Sequence, residues 1–185
     1  QRCNDHGKPY IVAPCVGVSV AASGIGAGNA PFDGISASAA LAGGAAALLL
    51  EVHPDWTPAF IKSALMGTAT PLVNASEILY PVTLAGAGRI DPQSAAQATL
   101  LATLNSASGG LSFDAPSVYK NKSITHDLIL NNLSNQPQEV TLSNTVGVSE
   151  TGIFMSFESD QVSIPAQQSV TVPVKISLVP TCLLY

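Results

Sequence analysis

Ser36 is the residue of this chain best suited to covalent chemistry. It follows Gly34-Ile35 and opens the run Ala37-Ser38-Ala39-Ala40-Leu41-Ala42-Gly43-Gly44-Ala45-Ala46-Ala47-Leu48-Leu49-Leu50. That run reads as a tight glycine turn followed by a helix of small and apolar residues. A serine in the first turn of such a helix sits beside unpaired N–H groups and the positive end of the helix dipole. An oxyanion is stabilised there, so the place suits a nucleophile. Capping is the commoner use of a serine at a helix start, and only the surrounding sequence shifts the balance.

A serine nucleophile needs a base, and the base needs a carboxylate to orient it. The chain has three histidines. His6 follows Asp5 near the N-terminus, and this pair is not expected to substitute for a catalytic dyad. His53 and Trp56 lie in a turn between two helices and read as structural. His126 falls on the inward face of a strand and reads as a buried structural histidine. Cys3, Cys15 and Cys182 are an odd number without metal-ligand spacing. Cys3 and Cys15 could pair in an oxidising compartment, but buried free thiols are the reading, and a zinc site with His6 is not expected. No metal and no cofactor are expected.

The element that must position Ser36 is its own helix. A helix apolar on every face has to be buried all round, at the centre of a domain. At about fifteen Gly-rich residues it falls short of a membrane span. Before it, Lys8–Val16 is a short apolar strand ended by Pro14, Val16–Ala22 is a second extended piece, and Ser23–Asp33 is a Gly-rich loop. After it, Thr57 caps and Pro58 begins a second helix with Phe60, Ile61, Ala64 and Leu65 on one face. Asp91-Pro92 repeats that grammar, with a helix expected over Ala95–Leu104.

Composition narrows the partners. Charged residues are 10% and hydrophobic residues 46%, with a net charge of −5 and a pI near 4.9. That balance argues against nucleic acid and anionic membranes. Sparse Lys with many Ser, Thr, Asn and Gln fits a secreted protein. The N-terminal Gln1–His6 stretch lacks the apolar core of a signal peptide.

Four segments carry a family resemblance. Gly34, Ser36, Gly44 and the Ala45–Leu49 run resemble the nucleophile helix of the subtilisin-like serine peptidases, G-T-S-M-A-S/T-P-H-V-A-G-A-A-A-L-L. Ile35, Ala37, Ala40, Leu41 and Ala42 depart from it. Lys8–Val16 resembles K-P-D-I-V-A-P-G-V, with Tyr10 for Asp and Cys15 for Gly. His53–Ala69 follows H-P-D-W-T-P…I-K-S-A-L-M-x-T-A almost residue for residue and is the most specific stretch. Gly86–Ala96 resembles G-A-G-x-I/V-D-P-x-x-A-A, which closes the catalytic domain in that family.

The resemblance implies an α/β fold, an incomplete subtilisin-like three-layer domain over residues 1–105, with Ser36 as the nucleophile. Family order is Asp, His, Ser, yet D-x-G, H-G-T-H-V and the upstream oxyanion Asn are all absent here. It therefore implies the C-terminal segment of a secreted, extracellular serine endopeptidase acting on peptide or protein substrates. Its activators would come from the upstream part of the same peptidase, and the chain alone would be inactive. The alternatives are a pseudo-peptidase, favoured by Ile35 and Ala37, and an adhesion or spacer role.

At Ser106–Gly110 alanine gives way to Asn, Ser, Thr and Val, which reads as a domain boundary. Beyond it, Val170, Val172, Val174, Ile176 and Leu178 recur with period two, and Pro173 suggests an edge strand. Residues 110–185 are expected to form an all-β antiparallel sandwich similar to a fibronectin-III-like module. Asn74-Ala75-Ser76, Asn121-Lys122-Ser123 and Asn132-Leu133-Ser134 match the glycosylation pattern. In a chain this rich in Asn and Ser they read as chance matches.

Overall fold

A computed structural model of the protein describes residues 9–104, 121–144 and 152–179. They fall into two compact units that divide between Gln97 and Ala98. The first holds the hairpin β1 (Val18–Ala21) and β2 (Asn29–Phe32), then α1 (Ile35–Val52), α2 (Pro58–Gly67), α3 (Val82–Ala85) and α4 (Pro92–Ala96). The second holds β3 (Leu100–Leu104), β4 (Lys122–Asn132), β5 (Gln138–Thr141), β6 (Ile153–Phe157), β7 (Gln161–Ile164) and β8 (Ser169–Leu178).

Helix starts follow the sequence. The Thr57 hydroxyl accepts from the Phe60 N–H at 3.3 Å with Pro58 as first helical residue. Asp91 accepts from the Ser94 N–H at 3.0 Å and from its hydroxyl at 2.8 Å. These bonds stabilise the charged form of Asp91, the backbone bond from Ser94 first, and hold its carboxyl below the ordinary range. α1, α2 and α4 pack on one another through small residues, with Ala64 and Ala95 fully buried and Ala45 nearly so. Short side chains let helix axes approach closely.

A main-chain ladder ties the ends of this unit together. Ala87 N–H donates to Tyr10 O, Val12 N–H to Gly88 O and Ile90 N–H to Val12 O, at 2.8–2.9 Å. On the other side Thr70 and Arg89 exchange two bonds of 2.8 Å. The two glycines of Gly86-Ala87-Gly88 make this possible. A Cβ on Gly86 would run into the Tyr10 carbonyl, and one on Gly88 into the Thr70 carbonyl. Both also have positive φ, at +58° and +126°.

In the second unit the order β3-β4-β8-β6 is antiparallel throughout, and β5 pairs with β7. β4 lies along β8 from Lys122 opposite Leu178 to Asn131 opposite Ser169. Leu130 and Val172 of the larger sheet meet Val162 and Ile164 of the smaller one in a buried cluster. The period of two on β8 is real, with Val172, Val174 and Ile176 buried. Asn131 and Asn132 are buried as well. The Asn132 Nδ2 donates to the carbonyls of Gln136, Ile164 and Pro165 at 2.8–3.1 Å. Its Oδ1 accepts from the Ser134 N–H and hydroxyl.

Several expectations need correction. α4 ends at Ala96 instead of continuing to Leu104. Leu100–Leu104 is β3, paired with Asn132–Leu128, because β4 supplies its main-chain partners. The division of the chain therefore falls before β3, and Ser106–Gly110 lies outside the described residues. β8 is a central strand over Val174–Leu178. β6 stops at Phe157 opposite Val174, so among the described residues no strand pairs with β8 on that side where Pro173 sits. His126 is exposed, beyond the stretch of β4 that the core cluster covers. Part of the Gly-rich loop is β2, whose Ala30 pairs with Val20.

α1 is also longer and less covered than its composition implies. It runs 18 residues, with a mean hydropathy of 1.7. Length and composition would let it cross a membrane, which the fifteen-residue reading did not allow. Ala37, Ala45 and Leu49 are buried on one side, while Leu48 stays 59% exposed and Leu41 and Leu50 are exposed too.

Three outcomes test this account. Residues 98–185 should melt cooperatively and at a higher temperature than residues 110–185, which lack β3. Equal melting of the two would remove β3 from the unit. Gly88→Ala should destabilise the chain by more than about 2 kcal/mol, since backbone must move and a positive φ is strained. A neutral Gly88→Ala in denaturant unfolding would contradict the close approach. The Asp91 carboxyl is lowered on folding, so its stabilisation is present above the ordinary carboxylate range and lost as pH falls through the folded value. Asp91→Asn should flatten that acid limb of a stability–pH curve, and an unchanged limb would contradict it.

Candidate active site

Ser36 is the second residue of α1, exposed at its N-terminus. It does not cap the helix. The N-cap is Gly34, with φ +147° and no side-chain cap bond. Among the described residues no side chain caps the first turn of α1, in which the Ala37 N–H donates to Gly34 O at 3.0 Å and Ser36 is the second residue. Ile35, where the resembling motif has Thr, is 83% exposed and can donate no side-chain hydrogen bond.

The turn before Ser36 is fastened at three points. Gly34 N–H donates to Cys15 O at 2.7 Å. The Asp33 carboxylate accepts from the Gly17 N–H at 2.6 Å. The Ser38 hydroxyl lies 2.9 Å from Ala13 O and 3.0 Å from Pro14 O, which share its single proton. Sequence reasoning missed Asp33 and Ser38 as positioning residues. The signal was present: an Asp directly before the turn glycine, and a hydroxyl in the first turn of an otherwise apolar helix. Cys15 does not spoil the turn despite replacing the motif's glycine. The positive φ in this stretch belongs to Gly17, at +63°, two residues on.

No histidine stands near Ser36 among the described residues of its unit. His53 is seventeen residues on, at the far end of α1, or about 25 Å at 1.5 Å per residue. Its ring stacks on Trp56 with centroids 3.9 Å apart and 7° between planes. Its Nε2 lies 2.7 Å from Ala96 O, and since a carbonyl only accepts, Nε2 carries the proton. His53 thus joins the end of α1 to α4 and is structural, as its turn context predicts. Asp5, His6, Cys3 and Cys182 lie outside the described residues. Among the described residues no group of His, Cys, Asp and Glu could hold a metal.

Two apolar hollows flank α1. One, about 440 Å³, is floored by Tyr10 and Ile11 between α1 and α2. The other, about 650 Å³, is bordered by Pro14, Leu41, Leu48 and Ile90. Lys62 holds its ammonium 3.4 Å above the ring of Tyr10, the residue standing where the motif has Asp, and the π face attracts the cation.

Comparison with known proteins gives the class. The subtilase family model matches residues 2–126, and the chain belongs to the subtilase family. It is 35% identical over 107 residues to the subtilisin-like protease SBT1.4 of Arabidopsis thaliana, covering 48% of this chain and 14% of that protein. It is 33% identical over 131 residues to SBT3.11 of the same plant, covering 64% and 17%. With the subtilisin-like protease SBT3 of Solanum lycopersicum the figures are 39% over 71 residues, 34% and 9%. The chain thus spans less than a fifth of the length of these relatives.

Ser38→Ala should loosen the turn. It removes one hydrogen bond of about 1 kcal/mol, so amide exchange at Gly34 should quicken roughly fivefold. Unchanged exchange would show that Ser38 does not hold the turn.

Proposed function

We propose that this chain is the C-terminal segment of a secreted subtilisin-like serine endopeptidase, with Ser36 as its nucleophile. The observation that carries this reading is the uncapped N-terminus of α1, with the Ser36 hydroxyl on a turn fastened by Gly34, Asp33 and Ser38. Membership of the subtilase family supports it. In this reading Ser36 Oγ attacks the scissile carbonyl of a peptide or protein substrate. Its proton passes to a histidine oriented by an aspartate, both from the upstream part of the same peptidase. N–H groups at the start of α1 stabilise the oxyanion. The chemistry calls on no cofactor or metal, and nucleic acid is not a partner. α1 is a core helix and not a membrane span, its exposed Leu41 and Leu48 covered by that upstream part. Residues from β3 onward are a fibronectin-III-like sandwich module appended to the peptidase.

A pseudo-peptidase that binds peptides without cutting is the second reading. Ile35 favours it, because no hydroxyl stands next to Ser36. Both readings meet in one experiment. The chain is joined to a matching upstream segment bearing the Asp and His, and peptide hydrolysis is followed with and without Ser36→Ala. Slow, Ser36-dependent hydrolysis is expected, with Ile35→Thr raising kcat about tenfold and leaving KM nearly unchanged. A folded fusion without turnover, before and after Ile35→Thr, would favour the pseudo-peptidase.

A further inference from the structure

Asn74 and Asn132 both head a glycosylation pattern, yet the fold uses their amides in opposite ways. Transfer of a glycan to asparagine replaces one amide N–H by N–C and leaves the amide oxygen free to accept. A glycosylated asparagine must therefore spare its nitrogen and leave room in solvent. Asn132 can do neither. It is 1% exposed, and its Nδ2 donates to three carbonyls. A glycan there would strip those buried acceptors at about 1–3 kcal/mol each and would have no space.

Asn74 shows the reverse arrangement. It is exposed on the tip of a tight loop, where Val73 bridges to Leu79. Its Oδ1 accepts from the Ser76 N–H at 2.9 Å and the Ile78 N–H at 3.1 Å. Its main chain exchanges bonds with Ile78 and Glu77. No hydrogen bond uses its Nδ2 among the described residues, so the turn survives modification intact. The loop also carries Val73, Ile78, Leu79 and Tyr80, each about half exposed or more. Apolar side chains gathered so closely on a surface favour association unless something hydrophilic covers them.

We infer that Asn74 is an N-glycosylation site, whose glycan covers the exposed apolar loop around it, and that Asn132 is not one. The donor is a lipid-pyrophosphate-linked oligosaccharide of a eukaryotic secretory compartment. Asn74 Nδ2 forms the bond to the anomeric carbon, the anomeric C–O bond to the pyrophosphate breaks, and one amide proton leaves with the lipid pyrophosphate. This rests on the secreted reading proposed above.

The test expresses the full chain behind a cleavable secretory signal in a eukaryotic host and maps glycopeptides of the secreted protein by mass spectrometry. Most Asn74-containing peptides should carry a glycan, and Asn132 peptides none. Asn74→Asp keeps the acceptor oxygen of the turn, and Ser76→Ala keeps the backbone N–H. Each should remove one glycan from the intact mass and increase light scattering on concentration. Unmodified Asn74 in the secreted chain, or a glycan on Asn132, would overturn the inference. Entry into the secretory route is forced here, so an unmodified Asn74 counts against the site alone. Secretion is decided separately, by locating the full-length protein in its own cells.

Discussion

The extended segment Tyr10–Cys15 is held from two directions by main-chain hydrogen bonds, and the position of Ser36 depends on it. Its first half lies against Ala87–Ile90, bonded through Tyr10 and Val12. Its second half presents the carbonyls of Ala13, Pro14 and Cys15 to Ser38 and Gly34. This extended segment, bridged to Arg89 at Val12 without forming the strand expected there, thus links the Gly86-Ala87-Gly88 segment to the turn before Ser36. Gly86 acts at a distance: a side chain there would meet the Tyr10 carbonyl, the segment could not approach, and the turn would lose its anchors.

The same chain of contacts explains which motif departures the fold tolerates. Tyr10 stands where the motif has an acidic residue, and its ring face attracts Lys62. Cys15 replaces a glycine, but what the turn takes from that residue is its carbonyl oxygen, which any residue supplies. Ile35 is different. Its side chain points at no partner the fold requires, being largely exposed, so folding places no demand there and only chemistry would. That contrast makes Ile35 informative about function.

Much of this was legible in the sequence because it is local. Thr57-Pro58 and Asp91-Pro92 announce helix starts through side chains that reach three residues, and the alternation on β8 announces a half-buried strand. What could not be read depends on distant partners. Leu100–Leu104 has the composition of a helix end and becomes a strand because β4 lies beside it. His126 alternates like a core residue but lies past the reach of the core cluster. Asn131 and Asn132 look like turn residues and are instead buried, fully hydrogen-bonded links of the β unit. Asp33 and Ser38 carry a local signal in the sequence, but the partners they anchor to follow from where Ala13–Gly17 runs.

The proposed function rests on α1 presenting Ser36 on a preformed turn, with the His, the Asp and the oxyanion Asn supplied from upstream. The direct measurement is the intact mass and peptide map of the protein after exposure to a fluorophosphonate, for the chain alone and for the chain joined to an Asp- and His-bearing upstream segment. The account predicts a single phosphonyl adduct on the Ser36 peptide of the joined protein and none on the chain alone, since removing triad members costs several powers of ten in rate. An adduct on another serine, or none at all in a joined protein shown to be folded, would contradict it.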